Sequence, residues 1–335
     1  MLISRGLYAT KRKKIAYLSC SCFIFPLVSF IGFAGSMTMF KEKIKTLIEN
    51  KLTEDGLFET GVKGVQLFKV TEGVRCAPAV YEPTVVAIVS GTKEAILDGK
   101  SYVYGTDQYM CCSMSMPVEA GTPNASPDNP LLGVFISLDT RVMTELTMEV
   151  ERACGVQKQS KGAKFPPSIA LSDWDNDFAE SLMRLLQLSQ NGADTAVLGD
   201  SRLREVYYTI LKGGAGESAR RAFGVGNEIA RAIDYLSTRL NETVTIEDMA
   251  SQVGMSRAVF HRKFKQATSM SPIQFVKSMR LNTAAMKIVG GMTVNEAAMD
   301  VGYVSTSQFS REFKRLYGQS PKQWSQYRQI PAALI

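Results

Sequence analysis

The strongest constraint on the fold is an internal repeat near the C-terminus. Gly254–Pro272 reads GMSRAVFHRKFKQATSMSP, and Gly302–Pro321 reads GYVSTSQFSREFKRLYGQSP. The two glycines are 48 residues apart, whereas Phe260/Phe309, Phe264/Phe313 and Pro272/Pro321 are each 49 apart. One residue has been added in the second turn, and the rest keeps register. A repeat at this spacing has to be one supersecondary unit used twice.

Each copy opens with a Thr and, three residues on, a carboxylate: Thr245 with Asp248, Thr293 with Glu296. That is the pattern of a capping box, in which hydroxyl and carboxylate satisfy each other's backbone donors. A short helix is predicted over IEDMASQV and VNEAAMDV. It stops at Gly254 or Gly302, where glycine accepts the left-handed backbone of a helix C-terminus. A second helix follows, with a predicted buried face of Phe260, Phe264 and Ala267 in the first copy and Phe309, Phe313 and Leu316 in the second. Two short helices joined by a glycine turn make a helix-turn-helix.

At about 100° per residue, the face opposite Phe260 carries Ala258, His261, Arg262 and Lys265, flanked by Arg257. The face opposite Phe309 carries Ser307, Ser310, Arg311 and Lys314, flanked by Thr306 and Gln308. Arg can fork onto guanine, Ser and Thr can read either base edge, and Lys can neutralise phosphate. One such face could be a solvated helix surface; two with the same cap, turn, aromatic pair and cationic ridge point to a double-stranded DNA partner. Ser271-Pro272 predicts a further helix to Val289. At 1.5 Å per residue it spans about 27 Å, a strut able to hold two reading helices near successive major grooves.

Charge agrees. From Glu217 onward there are 16 Lys and Arg against 9 Asp and Glu, whereas residues 39–216 are acidic by 5. A polyanion partner therefore suits the C-terminal part alone. The single histidine, His261, rules out a three-histidine metal site, and the six cysteines, at 20, 22, 76, 111, 112 and 154, include no CxxC pair. No metal or cofactor is expected, and the thiols are read as reduced.

These residues identify a resemblance. TIEDMASQVGMSRAVFHRKFKQATSMSPIQFVKSMRLNTA and GYVSTSQFSREFKRLYGQSPKQW look like the two helix-turn-helix halves of the AraC/XylS family of bacterial transcription regulators. The likeness covers roughly Asn227 to Tyr327. The family's base-facing positions fall on Ala258, His261 and Arg262, and on Thr306, Ser307, Ser310 and Arg311. Ala258 is smaller than some side chains the family has at that position, and it offers methyl contact only.

Upstream, VQLFKV, TVVAIVSG, EAILDGKSYVYG, QYMCCSMSM and LLGVFISLD read as short strands of an antiparallel sandwich or barrel, with Glu119–Pro130 as a loop. An amphipathic helix is predicted over Phe40–Leu52, with Ile44, Leu47 and Ile48 on one side. Further helices are predicted over Thr140–Ala153, Ser172–Gln190 and Thr195–Lys212, and Gly213–Ser218 reads as a hinge. Tyr81-Glu82-Pro83, the Asp98-Gly99 turn and Leu138-Asp139 are similar to the cupin-like sensor domain found in one branch of the same family. That implies a small barrel holding one effector. Along Tyr109–Pro117, read as one strand, Met110, Cys112, Met114 and Met116 share a face. They are soft core filling, or, in a sharper reading, Cys111 or Cys112 meets an electrophile or oxidant. Cys112 and Met114 are the candidate ligand-binding residues.

The fold expected is α+β in two domains: a cupin-like β-barrel with helical connector over 39–212, a linker over 213–226, and an all-α module with two helix-turn-helix motifs over 227–328. Residues 1–38 hold a basic cluster and an uncharged apolar run, the pattern of a signal or membrane anchor. Exporting a DNA-binding module makes no sense, so the expected start is Met37 or Met39, with a membrane tether as the alternative. The function expected is a cytoplasmic, non-enzymatic transcription factor, an activator responding to a small-molecule effector. Its implied partners are double-stranded promoter or operator DNA, the effector, RNA polymerase and a second copy of the chain. The alternatives are a constitutive DNA-binding protein whose barrel only dimerises and a DNA-repair alkyl acceptor.

Overall fold

The computed structural model describes residues 28–154, 168–224 and 227–326. The described residues open with helix α1 (Val28–Lys51), whose Ile44, Leu47 and Ile48 are buried as their spacing predicts. Nine strands follow: β1 (Gly56–Glu59), β2 (Val65–Val70), β3 (Val74–Tyr81), β4 (Thr84–Ser90), β5 (Thr92–Leu97), β6 (Lys100–Gly105), β7 (Gln108–Cys112), β8 (Met116–Thr122) and β9 (Leu131–Ser137). After α2 (Thr140–Cys154) come β10 (Ile169–Asp173), α3 (Asn176–Gln187) with a short 3-10 turn, and α4 (Gly192–Lys212). The rest is helical: α5 (Gly216–Phe223), α6 (Glu228–Ser237), α7 (Ile246–Gln252), α8 (Arg257–Thr268), α9 (Pro272–Val289), α10 (Val294–Asp300), α11 (Thr306–Tyr317) and α12 (Pro321–Trp324). The preceding residues 1–27, on which most of the signal-or-anchor reading falls, lie outside the described residues. Among the described residues no helix is long and apolar enough to cross a membrane.

The strands form two antiparallel sheets, one in the order β1-β2-β9-β4-β7-β10 and one in the order β3-β8-β5-β6. Their apolar residues share one core with α1, α3 and α4. The β5–β6 hairpin turns on Asp98-Gly99, both at positive φ, between the paired residues Leu97 and Lys100. That backbone suits the right-handed twist of the strands and explains the Asp-Gly signature.

Four expectations need correction. Tyr109–Pro117 is not one strand: β7 ends at Cys112 in the first sheet, and β8 begins at Met116 in the second. The intervening Ser113–Ser115 turns the corner between sheets, so no single face alternates along it. The expected loop at Glu119 begins later, because β8 runs to Thr122, and β10 occupies the start of the helix expected from Ser172. Finally, the stretch read as a hinge leads into α5, whose Ser218, Ala219, Ala222 and Phe223 are buried. Glu217 faces outward and the Arg220 guanidinium turns back to Leu211 O, while small and aromatic side chains fill the space beside α2 and α4. Composition suggested a tether, but packing makes a wedge.

Candidate nucleic-acid interface

Both copies of the repeat fold as their local chemistry dictates. Thr245 Oγ1 accepts from the Asp248 amide at 3.1 Å while the carboxylate accepts from the Thr245 amide at 2.9 Å; Thr293 and Glu296 repeat this at 3.3 and 3.1 Å. Each Thr hydroxyl also donates to the carboxylate at 2.7 Å, and this bond first and the Thr amide second hold both carboxyls below the usual carboxylate range. Gly254 and Gly302 end α7 and α10 at φ +68° and +84°. A Cβ on Gly302 would also meet Leu240 O at 2.7 Å.

The reading helices α8 and α11 then start at Ser256 and Ser305. The added residue of the second copy is Val304. Met255 and Tyr303 make equivalent bonds, to Ala250 O and Ala298 O, and only the second turn carries an extra residue before its cap. Val304 is fully exposed. Under each helix lies an aromatic ladder: Phe260 and Phe264 at 5.3 Å, then Phe275 at 5.1 Å from Phe264. In the second copy Phe309 and Phe313 lie at 5.4 Å, then Trp324 at 6.0 Å from Phe313. Phe275 and Trp324 are again 49 apart, as are the capping boxes Ser271/Gln274 and Ser320/Gln323. The repeat therefore extends beyond the stretch that sequence comparison marked. Each buried Phe contributes about 1.5–3 kcal/mol through burial.

The opposite faces are open. Arg257, Ala258, His261, Arg262 and Lys265 are all exposed on α8; Thr306, Ser307, Gln308, Arg311 and Lys314 are exposed on α11, with Ser310 half-buried. Cations on the inner sides have carboxylate partners: Lys263 with Glu228, Lys277 with Glu312 and Lys287 with Asp300. Among the described residues Arg262, Lys265, Arg311 and Lys314 have none. Gln308 leans its amide toward Glu312 at 3.5 Å. An exposed ridge of unneutralised cations beside short hydroxyls can hold phosphate and meet base edges.

Residues 61–218 match the family described as AraC-type transcriptional regulator N-terminus, and residues 249–327 match the helix-turn-helix domain family. The chain belongs to the AraC/XylS family. Among AraC/XylS-type relatives, it is 30% identical over 100 residues to the HTH-type transcriptional regulator AlkR of Acinetobacter baylyi, 30% of this chain and 33% of AlkR. It is 35% identical over 101 residues to the HTH-type transcriptional regulator MtrA of Neisseria gonorrhoeae, 30% of this chain and 32% of MtrA. The alignment thus spans about a third of the length of these relatives. The fold is that of ToxT from Vibrio cholerae, with a TM-score of 0.52 at 10% identity over 78% of this chain and 97% of ToxT.

One predicted core residue of this AraC/XylS chain is misplaced. Leu316 is 47% exposed, whereas its counterpart Ala267 is buried. Ala267 is covered because Met114 of the N-terminal module and Ala222 of α5 sit beside it, around a crevice of about 10 Å³. On α11 the corresponding side carries no such cover among the described residues. Met114 thus stands at the contact between the two modules, and Cys112 lies just inside it, its thiol directed to Met114 O at 3.2 Å. Cys111 and Cys112 are fully buried. Burial pushes the Cys111 thiol up to about 12, and burial with the neighbouring Cys111 pushes Cys112 higher still. Such thiols are poor nucleophiles at neutral pH, which favours soft core filling for this pair. Among the described residues no cluster of three His, Cys, Asp or Glu could hold a metal.

Sequence reasoning missed Asn282. It is buried on α9, where Nδ2 donates to Ala79 O of β3 at 2.7 Å and to Val118 O of β8 at 2.8 Å. Its Oδ1 accepts from Tyr317 Oη at 2.6 Å. Nearby, the Val80 amide donates to Met286 Sδ at 3.3 Å. Helix α9 thus covers β3, the edge strand of its sheet, whose open backbone groups would otherwise invite another chain.

Proposed function

We propose that this protein is a sequence-specific transcription factor whose C-terminal module grips one DNA duplex at two successive major grooves. The observation that carries this reading is the pairing of two equivalent helix faces, each with exposed Arg and Lys that no carboxylate in the described structure neutralises. Arg262 and Arg311 are the base-reading candidates, Lys265 and Lys314 the phosphate contacts, and Ala258, His261, Thr306, Ser307, Gln308 and Ser310 supply the shorter contacts. Because the two heads follow in one chain, a single copy reads an asymmetric site.

The N-terminal module is the sensor, a reading supported by its AraC-type match and by its direct packing on the DNA module. A small-molecule effector there would bias how the two heads are presented, a shift between pre-existing arrangements. The protein acts in the cytoplasm without catalysing a reaction, and it works with RNA polymerase and a second copy of itself.

The test is selection of random-sequence duplexes by the full chain, followed by footprinting of the winner. Enrichment of a two-part site spanning two turns is the expected result. If reversing charge at Arg262 and Arg311 together leaves occupancy of that site unchanged, the reading fails.

A further inference from the structure

The two reading heads are joined to the sensor in physically different ways. The first head shares an apolar core with the sensor: Phe260, Phe264, Ala267, Phe275 and Met279 belong to the same buried cluster as the sheets. The second has a separate core of Leu281, Ala284, Ala285, Ile288, Ala297, Ala298, Val301, Tyr303, Phe309 and Phe313. The boundary between the two cores falls inside α9, between Met279 and Leu281, and Asn282 stands at that seam. Non-directional apolar packing fixes the first head to the sensor, whereas the second is held at the seam by directional bonds.

Both bonds to sensor carbonyls pass through one side chain, Asn282, beside the weaker Val80 amide to Met286 Sδ contact. The Asn282 amide makes three bonds: both N–H donors go to sensor carbonyls, and Oδ1 accepts from the Tyr317 hydroxyl on the last residue of α11. Tyr317 has no equivalent in the first copy. The residue 49 positions earlier is Thr268, which bonds only within its own head, to Phe264 O and Met270 O. Tyr317 packs on Phe313 at 4.5 Å and stacks on Trp324 at 5.6 Å, so its position is rigidly passed to the floor of α11. Burial, with Glu119 and then Tyr303 nearby, raises the Tyr317 hydroxyl far above its ordinary range, which keeps it a donor at any physiological pH.

We propose that Asn282 is a positioning residue that ties the orientation of the second reading head, through Tyr317, to the β3–β8 strands of the sensor. The inference rests on the two-headed DNA reading and assigns regulation to one half of the site. A shift of β3 against β8 breaks one of the two sensor bonds and frees α11 while leaving α8 seated. The sensor therefore tunes the half-site read by Thr306, Ser307, Ser310 and Arg311, and the half-site read by His261 and Arg262 stays occupied.

Two variants of the full chain test this. Tyr317→Phe removes a single hydroxyl and keeps the ring stack; Asn282→Asp sets a carboxylate against two carbonyl oxygens. Hydrogen exchange comes first because it needs no DNA. The expected result is faster exchange across residues 306–317, with residues 257–268 unchanged. On the selected duplex, scrambling the second half-site should cost Tyr317→Phe about tenfold less affinity than it costs the parent chain, while the cost of scrambling the first half-site is the same in both. Equal effects on both heads, in exchange or in half-site discrimination, mean a merely structural contact and overturn the proposal. So does no effect on either. If the parent chain selects no DNA at all, the DNA reading falls by itself, and the exchange result still decides whether Asn282 positions α11.

Discussion

Arg257 Nη1 lies 2.6 Å from Glu247 Oε1, so the first cation of the first reading helix is already bonded within the protein. Arg262, farther along the same exposed face, has no carboxylate partner among the described residues. The two arginines are adjacent in function by sequence but unequal in structure. Substituting Arg262 or Arg311 by Ala should weaken binding to the selected duplex by about 1–3 kcal/mol each, relaxing specificity at the base contacted. Arg257→Ala should cost less, because the charge it removes is partly neutralised. Anisotropy titrations at one fixed salt concentration check the ranking, and an equal loss for Arg257 would contradict it.

Lys265 and Lys314 act on phosphate, so their loss is felt on any sequence. Each Lys→Ala change should lower the slope of log affinity against log salt by about 1 while leaving half-site preference intact. Titration across a salt series measures this directly.

Phe313 and Leu316 sit three residues apart on one helix but in opposite surroundings, fully buried and 47% exposed. Phe313→Ala should destabilise the second head by about 3–5 kcal/mol through lost burial and a cavity. Leu316→Ala should stay within about 0.5 kcal/mol. Denaturant unfolding of the full chain separates the two.

Ser269 ends α8 at φ +66°, where the second copy has Gly318 at +74°. A side chain with a Cβ is strained there, and glycine is not. Ser269→Gly should therefore stabilise the chain by about 1 kcal/mol, seen as a higher denaturation midpoint. A loss of stability would show that the Ser side chain has a compensating contact.

Lys93 is 5% exposed inside the sheet layers, and burial pulls its ammonium down to about 8, with nearby Cys76 opposing the shift. The unfolded chain keeps this proton to about pH 10.5 and the folded chain only to about 8. Between those values the unfolded state binds more protons, so the contribution of this residue to stability rises with pH. Lys93→Met should raise the thermal midpoint at pH 7, by at most about 3 kcal/mol in stability. That advantage should shrink as the pH is raised from 8 to 10.5. A pH-independent difference would mean that the charge is not the cause.

Most of the second half of the molecule was legible from residues alone. The capping boxes, the glycine turns, the aromatic ladders and the span of α9 from Pro272 to Val289 follow from interactions over three or four residues, which a sequence displays directly. The exposed faces followed as well, since a helix that buries one stripe must show the other. Strands β2, β4 and β9 were equally plain because β-branched runs between turn residues have few other solutions. What neighbours decide was hidden. The corner at Ser113–Ser115, the packing of α5 and the exposure of Leu316 depend on which elements meet, and no local period encodes that. Asn282 is the extreme case. An asparagine within a helix reads as a surface residue, yet its carbonyl partners lie 203 and 164 residues away in the chain. Only the tertiary structure could pair them, because desolvating an amide is tolerated solely where distant backbone atoms arrive to satisfy it.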